Sequence, residues 1–237
     1  MQTEQQAFVL RSTDKGETSR LISLLTDQGR LEEIVLHGFK SRKSENKALF
    51  QPLNLLKITT ETSRGKIKLL STELSHSFPI IKGDLNKITF LSECCQILLK
   101  LPFDLQNDLK KHFQLQYTIQ NELEANPVSD YKLLRLYYLY SLSYCFGIRP
   151  EEPEKSEIIN RQQYFEPSTG GLYRERRSEQ SVALSADSAD LLKLLFYSRT
   201  ADILQKAAVP ENITVLQKIL KRYFLLHLNY TPSQQQI

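Results

Sequence analysis

An α+β fold, a small β-barrel followed by a helical part, is predicted by a change of period along the chain. Up to about residue 80, short apolar runs with β-type alternation are separated by turn residues, and after Phe78-Pro79 apolar residues recur at helical spacing. Five such runs in series, joined by hairpin-type connectors, point to closure, because a closed sheet leaves no edges. The OB-fold is a five-stranded barrel of this kind, and a five-stranded SH3-like barrel fits the same strand count.

The first run, residues 6–12, places Phe8 and Leu10 on one side and Ala7 and Val9 on the other, which fits a strand covered on both faces. Runs 18–26, 30–36, 53–61 and 66–74 follow. Asp27-Gln28-Gly29 and Ser63-Arg64-Gly65 are short connectors whose glycines suit the positive φ of turns between antiparallel neighbours. In the last pair, Lys57-Ile58-Thr59 and Lys66-Ile67-Lys68-Leu69 alternate polar with apolar residues, so one face of that hairpin is expected to be wet and basic.

Leu85, Ile88, Leu91, Cys95 and Leu98 then repeat at helical spacing behind a capping Asp84, and Pro102 stops them. Residues 103–123 continue with Leu105, Leu109, Phe113, Tyr117 and Leu123 before Asn126-Pro127 ends the run. The next helix, residues 131–146, is apolar or aromatic nearly all round and is expected at the centre of a bundle, with Gly147 and Pro150 ending it. Residues 149–180, rich in turns and charges, read as an irregular insertion. A capped helix follows over 191–196, and Pro210-Glu211 starts the last one, with Ile213, Leu216, Leu220, Tyr223 and Phe224 turned inward. The expected organisation is a barrel domain over residues 1–80 and a helical domain over residues 81–237 that carries the insertion.

The 237 residues are 41% hydrophobic and 24% charged, an ordinary globular composition with enough length to bury a core. The longest apolar run, 133–144, is broken by Arg135 and serines and falls short of the roughly 20 residues that cross a bilayer. Neither a basic nor an apolar leader is visible at the start, so a cytoplasmic location is expected. Cys94, Cys95 and Cys145 form an odd set without framework spacing and read as buried thiols. His37, His76, His112 and His227 are far apart and no CxxC pair exists, so neither a metal nor another cofactor is expected.

Catalytic signatures are missing from the sequence. Cys94 and Cys95 sit in an apolar helical pattern, and no nucleophile-elbow sequence occurs. Asp14-Lys15-Gly16-Glu17 lacks the length and glycine content of a phosphate-binding loop. Glu32 and Glu33 alternate across a strand and so face opposite ways, which is poor geometry for shared acid–base work. A non-enzymatic protein is expected.

Charge is concentrated in one neighbourhood. Residues 37–68 hold Lys40, Arg42, Lys43, Lys47, Lys57, Arg64, Lys66 and Lys68 against Glu45 and Glu61, a net +6 in a chain whose total is +4. Residues 37–47 in particular read as a flexible loop between two strands, where cations can displace counterions from a phosphate backbone. Polyanion binding is expected through Lys40, Arg42, Lys43 and Lys47, with Arg20, Arg64, Lys66 and Lys68 as further DNA-binding candidates; a merely solvated surface turn is the alternative. Phe39 is open to either base stacking or core packing, and Phe50, before Gln51-Pro52, is assigned to the core. Lys110, Lys111 and Arg135 lie among apolar residues, where a cation beside a groove could receive an acidic, hydrophobic peptide end or simply snorkel over a helical core. Arg174, Arg176 and Arg177 alternate with acids as a solvated ribbon would.

Several short motifs then occur together. Ala7-Phe8-Val9-Leu10, Gly16-Glu17-Thr18-Ser19-Arg20-Leu21, Gly29-Arg30-Leu31, His37-Gly38-Phe39-Lys40-Ser41 and Ala48-Leu49-Phe50-Gln51-Pro52-Leu53 resemble, in order and spacing, the N-terminal region of the DNA repair protein RecO family. The likeness continues through Phe146-Gly147-Ile148-Arg149-Pro150 and Phe165-Glu166-Pro167-Ser168-Thr169-Gly170-Gly171-Leu172. The resemblance implies an N-terminal OB-fold joined to a helical domain, acting as a bacterial, nucleoid-associated recombination mediator. It implies binding of single- and double-stranded DNA, annealing of complementary strands, and cooperation with RecR in loading RecA onto strands coated by single-strand-binding protein, whose acidic C-terminal tail is a further partner. The family's DNA contacts carry over to Lys40, Arg42, Lys43 and Lys47, and the tail site more weakly to Lys110, Lys111 or Arg135. Many family members carry a four-cysteine zinc module around residues 149–180, whereas this chain has no cysteine there. Two other readings fit the residues: an RNA- or ribosome-associated barrel, and a protein adaptor acting through its helices.

Overall fold

A single long strand, β1 (Gln2–Lys15), organises the first half of the chain in the computed structural model. Its first half pairs with β4 (Leu55–Ser63) and its second with β2 (Ser19–Thr26), and a register shift between Val9 and Arg11 bends it between the two. β3 (Leu31–Leu36) joins β2, and β5 (Lys66–His76) joins β4, every pairing antiparallel. The order is β3-β2-β1-β4-β5, and β3 approaches β5, curling the sheet into the expected five-stranded OB-type barrel. The structure is described for residues 2–39, 44–63, 66–101, 109–126, 131–148, 150–151, 163–197 and 209–228.

Both faces of β1 are covered, as its continuous apolar run predicts. Ala7 and Val9 point into the barrel with Ile22, Leu24, Ile34, Leu36, Leu56 and Ile58. Phe8, on the other face, meets the rings of Phe78 at 6.3 Å and Phe113 at 5.1 Å. Three helices supply that outer layer: α2 (Pro79–Lys82), α3 (Leu85–Leu99) and α4 (Lys110–Ala125). Asp84 caps α3 by accepting from the amides of Asn86 and Lys87. Contacts therefore gather residues 1–127 into one compact unit, barrel and helices together, and Val128–Ile237 into a second.

Three sequence expectations are corrected. Residues 44–47 are not loop: Ser44–Leu49 form a short helix, α1, between β3 and β4. The helix expected from residue 103 starts at Lys110, while residues 102–108 lie outside the described residues. The insertion is only partly irregular, because Gln163–Glu166 (β6), Gly171–Tyr173 (β7) and Val182–Leu184 (β8) pair as a three-stranded antiparallel sheet with β6 central. Short strands hidden among turn residues leave little alternation to read.

In the second unit α5 (Tyr131–Cys145) buries residues around most of its circumference, as expected of a central helix. It packs against α7 (Ile213–His227), whose Gln217 amide donates to the Lys132 carbonyl at 2.8 Å. α6 (Ala186–Tyr197) completes the unit, its Phe196 ring 6.3 Å from that of Tyr140. Among the described residues no helix is long and apolar enough to cross a membrane.

Candidate nucleic-acid interface

The described ends of two segments that adjoin the basic stretches border one cleft. A space of about 800 Å³ opens between β3 and β5, lined on one side by residues from Glu33 to His37 and on the other by Glu61, Ser63, Ile67, Lys68 and Leu69. His37 stands three residues before Lys40, and Ser63 and Lys68 flank Arg64 and Lys66. Folding thus brings together segments that lie some 25 residues apart in sequence. Lys40, Arg42, Lys43 and Arg64 themselves lie outside the described residues. Lys47 is exposed in the last turn of α1, Lys66 opens β5, and Lys68 is exposed on β5 opposite Glu61.

Arg20 sits on β2 across from Leu36, close to where β3 hands over to the basic segment. Its guanidinium lies 5.3 Å from the centre of the Phe39 ring and donates to the Ser12 carbonyl at 3.3 Å, and its Nε is 3.8 Å from Asp14. The residue before Arg20, Ser19, shares a 3.3 Å hydrogen bond with His37 Nδ1. Arg20 therefore props the start of the basic segment while its charge is shared with Asp14.

Phe39 is settled as a core residue. It is 2% exposed and meets Phe50 edge-on at 6.1 Å, so neither ring offers a face to a base. A glycine just before Phe39 adopts φ +63, which turns the chain so that the ring points inward. Other cations are scattered. Lys110 and Lys111 are exposed in the first turn of α4, in the first unit, and half-buried Arg135 is on α5 of the second. Arg176 donates to the Ser178 and Glu179 carbonyls, and Arg177 covers the Tyr173 ring at 3.6 Å, so both are tied to their own ribbon.

Cys94 and Cys95 do not resemble activated nucleophiles, and Cys145 on α5 is half-buried rather than buried as expected. Cys94 and Cys95 are buried, and burial pushes the Cys95 thiol up to about 12, away from the thiolate that catalysis needs. Glu32 is buried beside the Gln5 amide and Glu33 is exposed, on opposite faces as the alternation predicts.

The first 78 residues match the family described as "Recombination protein O N terminal". Similarity to curated proteins extends further. The chain is 23% identical to the DNA repair protein RecO of Exiguobacterium sp., over 91% of this chain and 87% of that one. It is 21% identical to the DNA repair protein RecO of Bacillus pumilus, over 94% and 88%. With the DNA repair protein RecO of Pelobacter propionicus it shares 26% identity over 61% of this chain and 58% of that protein's length. The chain thus resembles RecO proteins along most of its length, and its first 78 residues carry their N-terminal family pattern.

The zinc module of many RecO-family proteins would need cysteines in the segment that here spans residues 149–180. Residues 149–180 contain no cysteine, and among the described residues no group of three or more His, Cys, Asp or Glu side chains is placed to hold a metal. A carboxylate stands at the centre of the small sheet. Glu166, 4% exposed, accepts from Ser181 Oγ at 2.6 Å, Ser178 Oγ at 2.7 Å, Ser168 Oγ at 3.0 Å and the Ser168 amide at 3.3 Å. Burial alone would raise its carboxyl, but the hydrogen bonds from Ser181, Ser178 and Ser168 outweigh that and hold it down at about 2. Nearby the Tyr173 hydroxyl donates to Glu151, and its pKa is raised by burial and by that carboxylate. Sequence reasoning missed this node because three serines and one glutamate spread over residues 166–181 look like any polar turn.

Proposed function

We propose that this RecO-like protein is a non-enzymatic DNA-binding recombination mediator in DNA repair, which anneals complementary strands and, with RecR, helps load RecA onto DNA coated by single-strand-binding protein. The observation that carries the reading is the β3–β5 cleft, lined up to His37 on one side and by Ser63 and Lys68 on the other, the chain neighbours of the two basic stretches. Cations on both banks of a groove neutralise successive phosphates of one strand, and this grip is independent of sequence. The absence of an open aromatic face at Phe39 and Phe50 fits a site that holds the backbone rather than stacking bases.

In this reading residues 1–80 hold DNA, through Lys40, Arg42, Lys43, Lys47, Arg64, Lys66 and Lys68 with Arg20 in support. The helices of residues 81–237 hold partners, with Lys110, Lys111 and Arg135 as candidate contacts for the acidic tail of single-strand-binding protein. The test is fluorescence anisotropy with a labelled oligo-dT strand across a salt series. Replacing Lys40, Arg42, Lys43 and Lys47 by Glu should weaken binding at least tenfold and flatten the salt dependence. Unchanged affinity would remove the assignment. Annealing of complementary strands coated with single-strand-binding protein tests the mediator activity, since a passive binder should not accelerate it.

A further inference from the structure

The chain leaves the basic segment through α1 and turns sharply into β4, and the turn is held from three sides. Leu53 has φ +72, a left-handed conformation that is costly for a branched side chain. It is buried, its amide donates to the Val9 carbonyl at 2.8 Å, and its carbonyl accepts from the Gln120 amide of α4 at 3.0 Å. Next to it Asn54 is 1% exposed and fully used. Its side-chain amide donates to the Ala48 and Leu49 carbonyls at 2.9 and 2.8 Å, closing the C-terminal end of α1. Its side-chain oxygen accepts from the Lys82 ammonium of α2. α2 is anchored in turn, because the Glu124 carboxylate of α4 accepts from the Ile80 and Ile81 amides at 3.1 and 3.0 Å.

A six-residue helix does not hold itself together in water, so α1 depends on these outside bonds. The only cation α1 carries is Lys47, in the same last turn that Asn54 closes. We infer that Asn54 is a positioning residue for nucleic-acid binding: by fixing the last turn of α1 against α2, it aims Lys47 at the phosphate backbone. The inference rests on the reading of Lys47 as a backbone contact. It gives the strained, buried Leu53-Asn54 turn a role at the end of α1 beside its bonds to β1 and α4.

The test uses the full chain, a fluorescein-labelled dT strand and a double-mutant cycle, read below the melting temperature of every variant. Lys47→Gln is expected to weaken binding about fivefold and to lower the slope of log affinity against log salt by about one. Asn54→Ala is expected to do the same although it removes no charge, and the double variant should bind no more weakly than Lys47→Gln. Asn54→Ser, which keeps one hydroxyl donor for the α1 carbonyls, should recover part of the loss and remains measurable if Asn54→Ala does not fold. Asn54 variants that melt lower but keep the parent's affinity and slope would overturn the inference, since Asn54 would then serve stability alone. Losses that multiply in the double variant would also overturn it. If Lys47→Gln binds like the parent, the contact reading at Lys47 has failed, and the positioning role falls with it.

Discussion

Ser181 Oγ lies 2.6 Å from Glu166 Oε2, the closest of four donors that surround a buried carboxylate. The arrangement ties both ends of the 166–181 segment to one side chain, and it depends on the charge of that side chain.

The pH consequence has a definite sign. The folded carboxyl titrates at about 2, below its ordinary 4.5, so the node's stabilisation is complete above about pH 4.5 and is lost as pH falls through about 2. An acid titration followed by circular dichroism and by amide exchange at residues 170–173 should show the second unit loosening in that window. Glu166→Gln should abolish the window and, at neutral pH, lower stability by about 2 kcal/mol.

Two glycines with the same φ of +71 should respond very differently to alanine. A Cβ at Gly16 meets nothing within 4 Å, so Gly16→Ala carries the left-handed penalty alone, about 1 kcal/mol. At Gly170 the added atom would stand 2.7 Å from the Tyr223 ring and 2.9 Å from Pro150 Cα, and overpacking adds roughly 2 kcal/mol. Urea unfolding of the two variants measures the gap, and equal losses would show that the 167–170 turn yields without cost.

Phe39→Leu separates packing from stacking. A core role predicts a stability loss of about 1 kcal/mol with oligo-dT affinity kept within twofold. Loss of a stacked base would instead cost affinity by about 1–3 kcal/mol.

Arg20→Gln should weaken oligo-dT binding less than any loop cation does, by under about threefold, because Asp14 already shares its charge. Anisotropy at two salt concentrations checks this. The melting temperature should fall slightly as the contact over Phe39 is lost.

The barrel was legible because its signals are local: Ala7 to Leu10 read as a doubly covered strand, Gly29 as a positive-φ turn and Asp84 as a cap, and each is so. The basic segment was legible as charge, but the cleft beside its β3 end was not, since the approach of β3 to β5 is a property of closure that no window of sequence contains. α1 was missed because its stability comes from Asn54, Lys82 and Gln120 rather than from its own six residues. Phe39 stayed ambiguous because an aromatic beside a charge run looks alike whether its ring turns inward or outward, and the turn at Gly38 decides which.

Five strands paired antiparallel in the order β3-β2-β1-β4-β5 have a parity: β1, β3 and β5 all run the same way. Closing such a sheet forces two parallel edges to face each other, and among the described residues no ladder joins them. The line of the barrel without a ladder is thus fixed by an odd number, and it is the line that His37 and Lys68 border.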